Sequence, residues 1–477
     1  MATAKERQFL RLAFFLGATA WLLSFLYAAT VPLFDDEVFY AAAGGAIGKF
    51  LTGHLTFLEM RTLVVSNGWF TPGVPFLLAP IYVIDATPHS AVIRLYASVL
   101  TFGLWMWALR EAYRVFGPRY AIALFIFPAL DVTWHLLATG AWGDLPSGLL
   151  LVIILGRTWQ LAQLAFEGAP VKIQDVVVLE AIFILTFYLR GNSILAFAAV
   201  HVFLIGVAVL GGQWRMLPRQ VGALTVGVVL FIAGIAPWSI MASRELGGTV
   251  ISTSTPALSF AITFGKREFL CFAPCPRTKG NVWYDTADFS RTYAAEHGIS
   301  QLEAQRRMAA SATRDLTFTE YTRRTRANFQ RFLFRPAGFT QNRFLPRSAF
   351  RFSEQTVRWA GAFGALWTGL LYFPFLLALA VANGLVITKG WREQLESLCL
   401  KMFTICVLVQ PFIHPGHSRY WPTFGPLMAF SGAFLIKRAT RDHGHDAPGS
   451  IALTLIQGLY VLLVLATVAA LFLPLAW

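Results

Sequence analysis

The feature that most constrains this chain is a recurrence of apolar runs. A helix rises about 1.5 Å per residue and bilayer hydrocarbon is about 30 Å thick, so a run of about 20 apolar residues is a membrane span. Eleven spans are predicted, near Phe9–Thr30, Ala91–Ala112, Tyr120–Ala138, Pro146–Ala165, Val176–Leu189, Ile194–Leu210, Val221–Ala242, Val357–Ala382, Ser397–Ile413, Trp421–Ile436 and Ile451–Leu473. Composition agrees: of 477 residues 56% are hydrophobic and 13% are charged, about half the charge of an ordinary globular domain. Disorder, a coiled coil and a nucleic-acid-binding module are excluded. The expected fold is an all-α polytopic membrane bundle. Four cysteines do not make a disulfide scaffold.

Charge sets the expected topology. The net charge is 39 − 25 = +14, which in a membrane protein reflects cytoplasmic anchors and anionic lipid. Gly73–Ile84 is apolar but only twelve residues long, with Pro75 and Pro80 inside it. It is too short to span and reads as a juxtamembrane or re-entrant element. The short loops carrying Arg110, Arg114, Arg119, Lys172, Arg215, Arg219, Lys389, Arg392, Lys437, Arg438 and Arg441 then share the side of the N-terminus, the cytoplasmic side by the positive-inside rule. Asp36 and Asp144 are two crossings apart and face the other side.

That side also receives the longest polar segment, Arg244 to Gln355, with 17 Lys and Arg against 9 Asp and Glu. The organisation expected is an N-terminal membrane core over 1–243 with a juxtamembrane segment at 35–88, a basic external loop over 244–355, and C-terminal helices over 356–477. Within the loop, Ser300–Arg314 and Thr317–Phe334 read as helices, and Arg331–Arg351 as a segment lying along the membrane surface. Cys271 and Cys275 either pair or stay free; Cys399 and Cys406 read as packing residues in a span.

Candidate chemistry sits at helix entrances. Asp35, Asp36 and Glu37 are three consecutive carboxylates directly after the first span. One reading is an N-cap for a helix over Glu37–Phe50; the other is a functional acid held in place by that cap. Asp144, just before Pro146, has the same two readings. Together the acids could act as general base and orienter, or as oxygen ligands of a divalent cation. Arg94, Arg190 and Arg419 open or close spans on the same side, where an arginine either anchors lipid headgroups or grips phosphate bidentately. His414 and His417 either cap the loop or bind metal. Asp131 and His135, four apart, are expected to share a helix face and pair.

At these residues the chain resembles the polytopic GT-C glycosyltransferases, most closely the branch with protein O-mannosyltransferases and the lipid A aminoarabinose transferase. The likeness is an ordered series: Asp36-Glu37-Val38-Phe39-Tyr40 after the first helix; the Pro-rich Thr71–Pro80; Arg94-Leu95; Asp144; Arg190-Gly-Asn-Ser193; Pro237-Trp238 followed by Ser252–Thr255; and Arg419-Tyr420-Trp-Pro422. The chain departs from the family pattern at Phe70-Thr-Pro-Gly73, where His-Pro-Pro or Lys-Pro-Pro is common, and it shows no large C-terminal soluble domain.

The resemblance implies a GT-C-like bundle and a polyprenyl-phosphate sugar donor. It implies inverting transfer to an extracytoplasmic glycolipid, glycan or protein, at the periplasmic face of a bacterial inner membrane. It assigns catalysis to Asp36, Glu37 and Asp144, and donor phosphate binding to Arg94, Arg190, Arg419 and Tyr420. Asp35, Tyr40 and His417 would line the cavity. Asp36 and Asp144 are the expected ligands if a divalent cation takes part, and the basic loop fits an anionic lipid or glycan. No nucleic acid is expected. The competing classes are a secondary transporter or lipid-linked sugar flippase, for which Asp131 and His135 speak, and a polymerase or ligase using a lipid pyrophosphate donor.

Overall fold

The computed structural model describes residues 3–66, 68–212, 214–276, 282–334, 353–440 and 449–472. Every regular element among them is helical. The first half comprises α1 (Ala4–Ala28), α2 (Asp36–Leu51), α3 (Phe57–Val65), α4 (Gly73–Ile84), α5 (Ser90–Val115), α6 (Pro118–Leu130), α7 (Val132–Ala138), α8 (Asp144–Glu167), α9 (Ile173–Leu189), α10 (Ile194–Leu210) and α11 (Leu217–Leu246). The polar segment forms α12 (Thr255–Phe264), α13 (Val282–His297), α14 (Gln301–Thr313) and α15 (Phe318–Phe334). The chain ends in α16 (Glu354–Gly364), a π-helical stretch (Ala365–Tyr372), α17 (Phe373–Leu385), α18 (Trp391–Leu408), α19 (Gln410–Ile413), α20 (Trp421–Ala439) and α21 (Ile451–Phe472).

Among the described residues, eight helical runs are long and apolar enough to cross a membrane by length and composition. The protein is a helical, multi-pass membrane protein on that basis. The other three predicted spans lie in helices that are shorter, broken or less apolar. Val176–Leu189 belongs to α9, which at 17 residues covers only about 26 Å. Trp421–Ile436 lies in α20, which carries Pro422 and Pro426 near its start and lies in the middle of the bundle against α6, α8, α17 and α18. Tyr120–Ala138 is broken in two. At Asp131 the backbone becomes extended and the carboxylate accepts the Thr133 N–H at 2.9 Å, capping α7. A short acid competing for a backbone donor in this way ends one helix and starts the next. The expected pairing of Asp131 with His135 is therefore not made, and His135 Nδ1 lies 3.1 Å from Ser24 Oγ instead.

The core axis is α8. Its buried face runs nearly its whole length and packs on α5, α9, α10, α18 and α20. The short α4 forms where predicted and lies along α2. The basic segment builds a second apolar core: Leu258, Ile262, Leu270, Ala287 and Met308 pack together with Trp69 from the α3–α4 connection. Cys271 and Cys275 are joined by a disulfide within it. The predicted helices Ser300–Arg314 and Thr317–Phe334 are α14 and α15. The second is tied to the bundle, where Trp421 Nε1 donates to Phe332 O at 2.7 Å and Tyr321 donates to Phe412 O at 2.8 Å. Most of the proposed surface segment Arg331–Arg351 lies outside the described residues.

Candidate active site

The site starts from the turn before α2. Asp35 has φ +48° and its side chain makes no cap hydrogen bond. A non-glycine residue in this region costs about 1–3 kcal/mol and persists only where its surroundings enforce it. The N-cap expected of Asp35 or Asp36 is thus not formed. Instead Asp36 and Glu37 enter the helix as neighbours, about 100° apart around its axis, and take different partners.

Glu37 turns inward. Its Oε2 accepts from Arg94 Nη2 at 2.6 Å, and both side chains are fully buried. Its Oε1 accepts the Ala141 N–H at 2.9 Å, and Arg94 also donates to Pro32 O at 3.1 Å. One carboxylate thereby ties α2 to α5 and to the turn before α8. Gly140 leaves the room for this, since a Cβ there would sit 2.8 Å from Glu37 Oε1 and 2.5 Å from the Trp142 ring. Arg94, expected to hold donor phosphate, and Glu37, expected to be catalytic, are thus sealed against each other in this pair.

Asp36 faces the other way. Its Oδ2 accepts from Arg419 Nη1 at 2.6 Å. Asp144 Oδ1 lies 2.8 Å from Arg190 Nη2. Asp144 is the first residue of α8 and Gly143 holds the cap position, so the capping role expected of Asp144 is not played either. The backbone sets this second pair: a Cβ on Gly143 would lie 2.6 Å from the Leu189 carbonyl oxygen, so the start of α8 rests on the end of α9. Asp144 O accepts from Thr423 Oγ1 at 2.8 Å, bringing α20 to the same point.

Aromatic rings join the two pairs. The Arg190 guanidinium lies 4.9 Å from the centre of the Tyr420 ring and that of Arg419 lies 5.3 Å from it. Arg419 also lies 5.7 Å from the Trp142 ring. Tyr420, assigned to phosphate, serves here as the platform under both guanidiniums. Two cations are held side by side because two acids neutralise them. The side chains of Arg190 and Arg419 keep 18% and 17% of their surface accessible, Asp36 12% and Asp144 none. The approach is therefore from the side of the arginines and Asp36, with Asp144 as the floor. Asp144 Oδ2 has no hydrogen-bond partner among the described residues.

Electrostatics follow from burial. Desolvation raises the Asp36 pKa above the usual carboxylate value; Arg419 opposes the shift and Asp144 adds to it. Tyr40, one turn further along α2, is held protonated by burial, then by Asp36 and Asp144. Burial, followed by the charges of Arg190 and Arg419, pushes His414 down to about 3, so its imidazole is neutral. His417 is exposed and its Nδ1 accepts the Arg419 N–H at 3.3 Å, so it shapes the turn that presents Arg419.

Asp36 and Asp144 do not make a good resident metal site. Each already holds a guanidinium, and among the described residues no three His, Cys, Asp or Glu side chains gather. A hard divalent cation takes six or more oxygens, more than these two carboxylates supply. The sequence singled out Asp36, Asp144, Arg190, Arg419, Tyr420 and Tyr40, and all are in this cluster. It missed Gly140 and Gly143, whose signal was their spacing around Trp142 just before Asp144. It also missed Glu180 and His201, whose Oε1 and Nε2 lie 3.0 Å apart between α9 and α10. Compared with known proteins, the chain matches no family model, no curated protein and no solved structure.

Proposed function

We propose that the protein is an inverting glycosyltransferase of the GT-C kind. It moves a sugar from a polyprenyl-phosphate donor to an extracytoplasmic acceptor, at the outer face of a bacterial inner membrane. One observation carries the reading. Two carboxylates and two arginines arrive from four separate chain segments, all at helix ends, and meet in one partly accessible cluster. A lipid-linked donor needs this arrangement, because its tail lies in the bilayer while its phosphate and sugar lie at the helix ends.

In the proposed step Asp36 removes the acceptor hydroxyl proton as that oxygen bonds to the anomeric carbon. The bond from that carbon to the phosphate oxygen breaks on the opposite face, and its electron pair leaves with the polyprenyl phosphate. The raised pKa suits a base that must hold the proton it takes, and such help is worth roughly 10²–10⁴-fold. Arg190 and Arg419 exchange their carboxylates for the phosphate and stabilise the charge growing on it. Asp144, with one unpartnered oxygen, orients the acceptor.

Purified protein incubated with a labelled polyprenyl-phosphate sugar is expected to release polyprenyl phosphate and transfer the sugar. Asp36→Asn is expected to fold and to lose transfer. Near-normal turnover by this variant at matched protein level removes the assignment. The competing reading is a secondary transporter, and the buried Glu180–His201 pair favours it. His201 Nδ1 lies 2.9 Å from Phe197 O, and a buried acid–histidine pair between two membrane helices is a default candidate for a transport path. Substrate movement without sugar transfer, abolished by Glu180→Gln, would decide for it.

A further inference from the structure

Arg190, the partner of Asp144, also stands in the wall of a small cavity. The cavity has a volume of about 30 Å³ and lies between α8, α9, α10, α18 and α20. Its α8 wall is Ser147 and Leu151, one and two turns further along that helix than Asp144. A buried water needs about 10–15 Å³ of such space and two to four polar partners. Six polar side chains are in the wall: Ser147, Thr186, Arg190, Asn192, Ser193 and Thr423. The rest of the wall is apolar apart from the Cys406 thiol.

Three of these groups are already committed as donors. Ser147 and Thr423 both donate to Asp144 O at 2.8 Å, and Thr186 donates to Ile182 O at 2.7 Å. Toward the cavity their oxygens can only accept. The other three can donate: the Arg190 guanidinium, the Asn192 amide and the Ser193 hydroxyl. Ser193 is the informative one. It is 5% exposed, and its Oγ has no hydrogen-bond partner among the described residues. Buried hydroxyls elsewhere in this chain donate to the carbonyl four residues back, as Thr101, Thr186 and Thr404 do. Ser193 instead ends a 3-10 turn (Gly191–Ser193) entered from extended backbone at Arg190, so it does not stand over a helical turn. A buried hydroxyl left without a partner is costly, and the cavity is where this one finds it.

Resting on the transferase reading for its effect on turnover, we infer that this cavity is a water site and that Ser193 acts through it as a positioning residue for Arg190. Water accepts two hydrogen bonds and donates two, so it matches both halves of the wall. It accepts from Ser193 and Arg190 and donates to the hydroxyl oxygens of Ser147, Thr186 or Thr423. The volume is roughly a tenth of the smallest ordinary ligand pocket, which leaves no room for a sugar ring or a lipid chain. With water on one nitrogen, the guanidinium keeps its orientation when phosphate replaces the Asp144 carboxylate.

Two free cysteines on α18 test the water without any assay of activity. Cys406 is in the cavity wall, whereas Cys399, two turns earlier, is buried and is not. The full chain in nanodiscs is given a brief X-ray pulse, which makes hydroxyl radicals from bound water, and thiol oxidation is read by mass spectrometry. Cys406 is expected to be oxidised severalfold faster than Cys399. Ala196→Val, which puts two methyl groups into the cavity, should abolish the excess. Equal rates for the two thiols, or a Cys406 rate unmoved by Ala196→Val, overturn the water site; the first comparison needs no variant, so poor folding of Ala196→Val leaves the test standing. For positioning, Ser193→Ala should raise the KM for a labelled polyprenyl-phosphate sugar about three- to tenfold, the worth of one hydrogen bond, with kcat less affected. Ser193→Thr, which keeps the hydroxyl, should stay near the wild-type KM. A lower melting temperature of Ser193→Ala with KM unchanged makes the water structural only and overturns the positioning role. The readings fail separately: absence of sugar transfer by the wild type sinks the transferase, while the thiol comparison decides the cavity by itself.

Discussion

Asp36 and Glu37 are adjacent in sequence and each holds an arginine at 2.6 Å, yet their surroundings are opposite. Glu37 and Arg94 have no accessible surface, whereas Asp36 and Arg419 retain some. A sealed ion pair has paid for the desolvation of both charges, and removing one partner leaves the other stranded. A pair at the rim can exchange its partner for a ligand. Equal chemistry at equal distance thus gives a sealed brace on one side of α2 and a reachable pair on the other.

The largest expected effect breaks the comparison at its open end. Asp36→Asn should cut kcat by roughly 10²–10⁴-fold with thermal stability little changed, measured by donor turnover and by unfolding in detergent. Equal loss of stability in Asp36→Asn and Glu37→Gln would show that the pairs do not differ in kind. Next comes the brace: Arg94→Met should cost about 3–5 kcal/mol of stability by stranding the Glu37 carboxylate. A cleanly folded variant with a selective rise in donor KM would instead return Arg94 to the phosphate binders.

Gly143→Ala should have a smaller effect. The added methyl meets Leu189 O, and overpacking of this sort costs about 1–3 kcal/mol. Because Leu189 precedes Arg190, the shift should also part Arg190 from Asp144 and lower activity more than Gly156→Ala, where a Cβ meets only side chains at 3.6 Å or more. The smallest effect is a pH shift. A base works only when deprotonated, so activity falls as pH drops through its pKa. Burial raises the Asp36 pKa, so the acid limb of kcat/KM should lie above the ordinary aspartate value of about 3.9. A limb at or below that value would mean that Arg419 outweighs burial.

The sequence located elements where a single local rule governs them. Run length gave α1, α5, α8, α10 and α11, and α14 and α15 form where Ser300–Arg314 and Thr317–Phe334 read as helices. It failed where two rules compete. Tyr120–Ala138 satisfies hydropathy, but Asp131 takes a backbone donor and the helix breaks. The acids at α2 and α8 look like caps by composition, yet arginines far along the chain claim them. Capping depends on a few neighbouring residues; an ion pair spanning 383 positions, as between Asp36 and Arg419, has no local trace.

Sequence alone therefore determined that the chain is a helical membrane protein and which acids and arginines stand at its helix ends. Length, hydropathy and charge are properties of each segment by itself. Only the tertiary structure decided which acid meets which arginine, that Glu37 is sealed and Asp36 reachable, and that a cavity adjoins Arg190. Those facts depend on how much water is excluded around each group, which is set by packing between segments and written in no one of them.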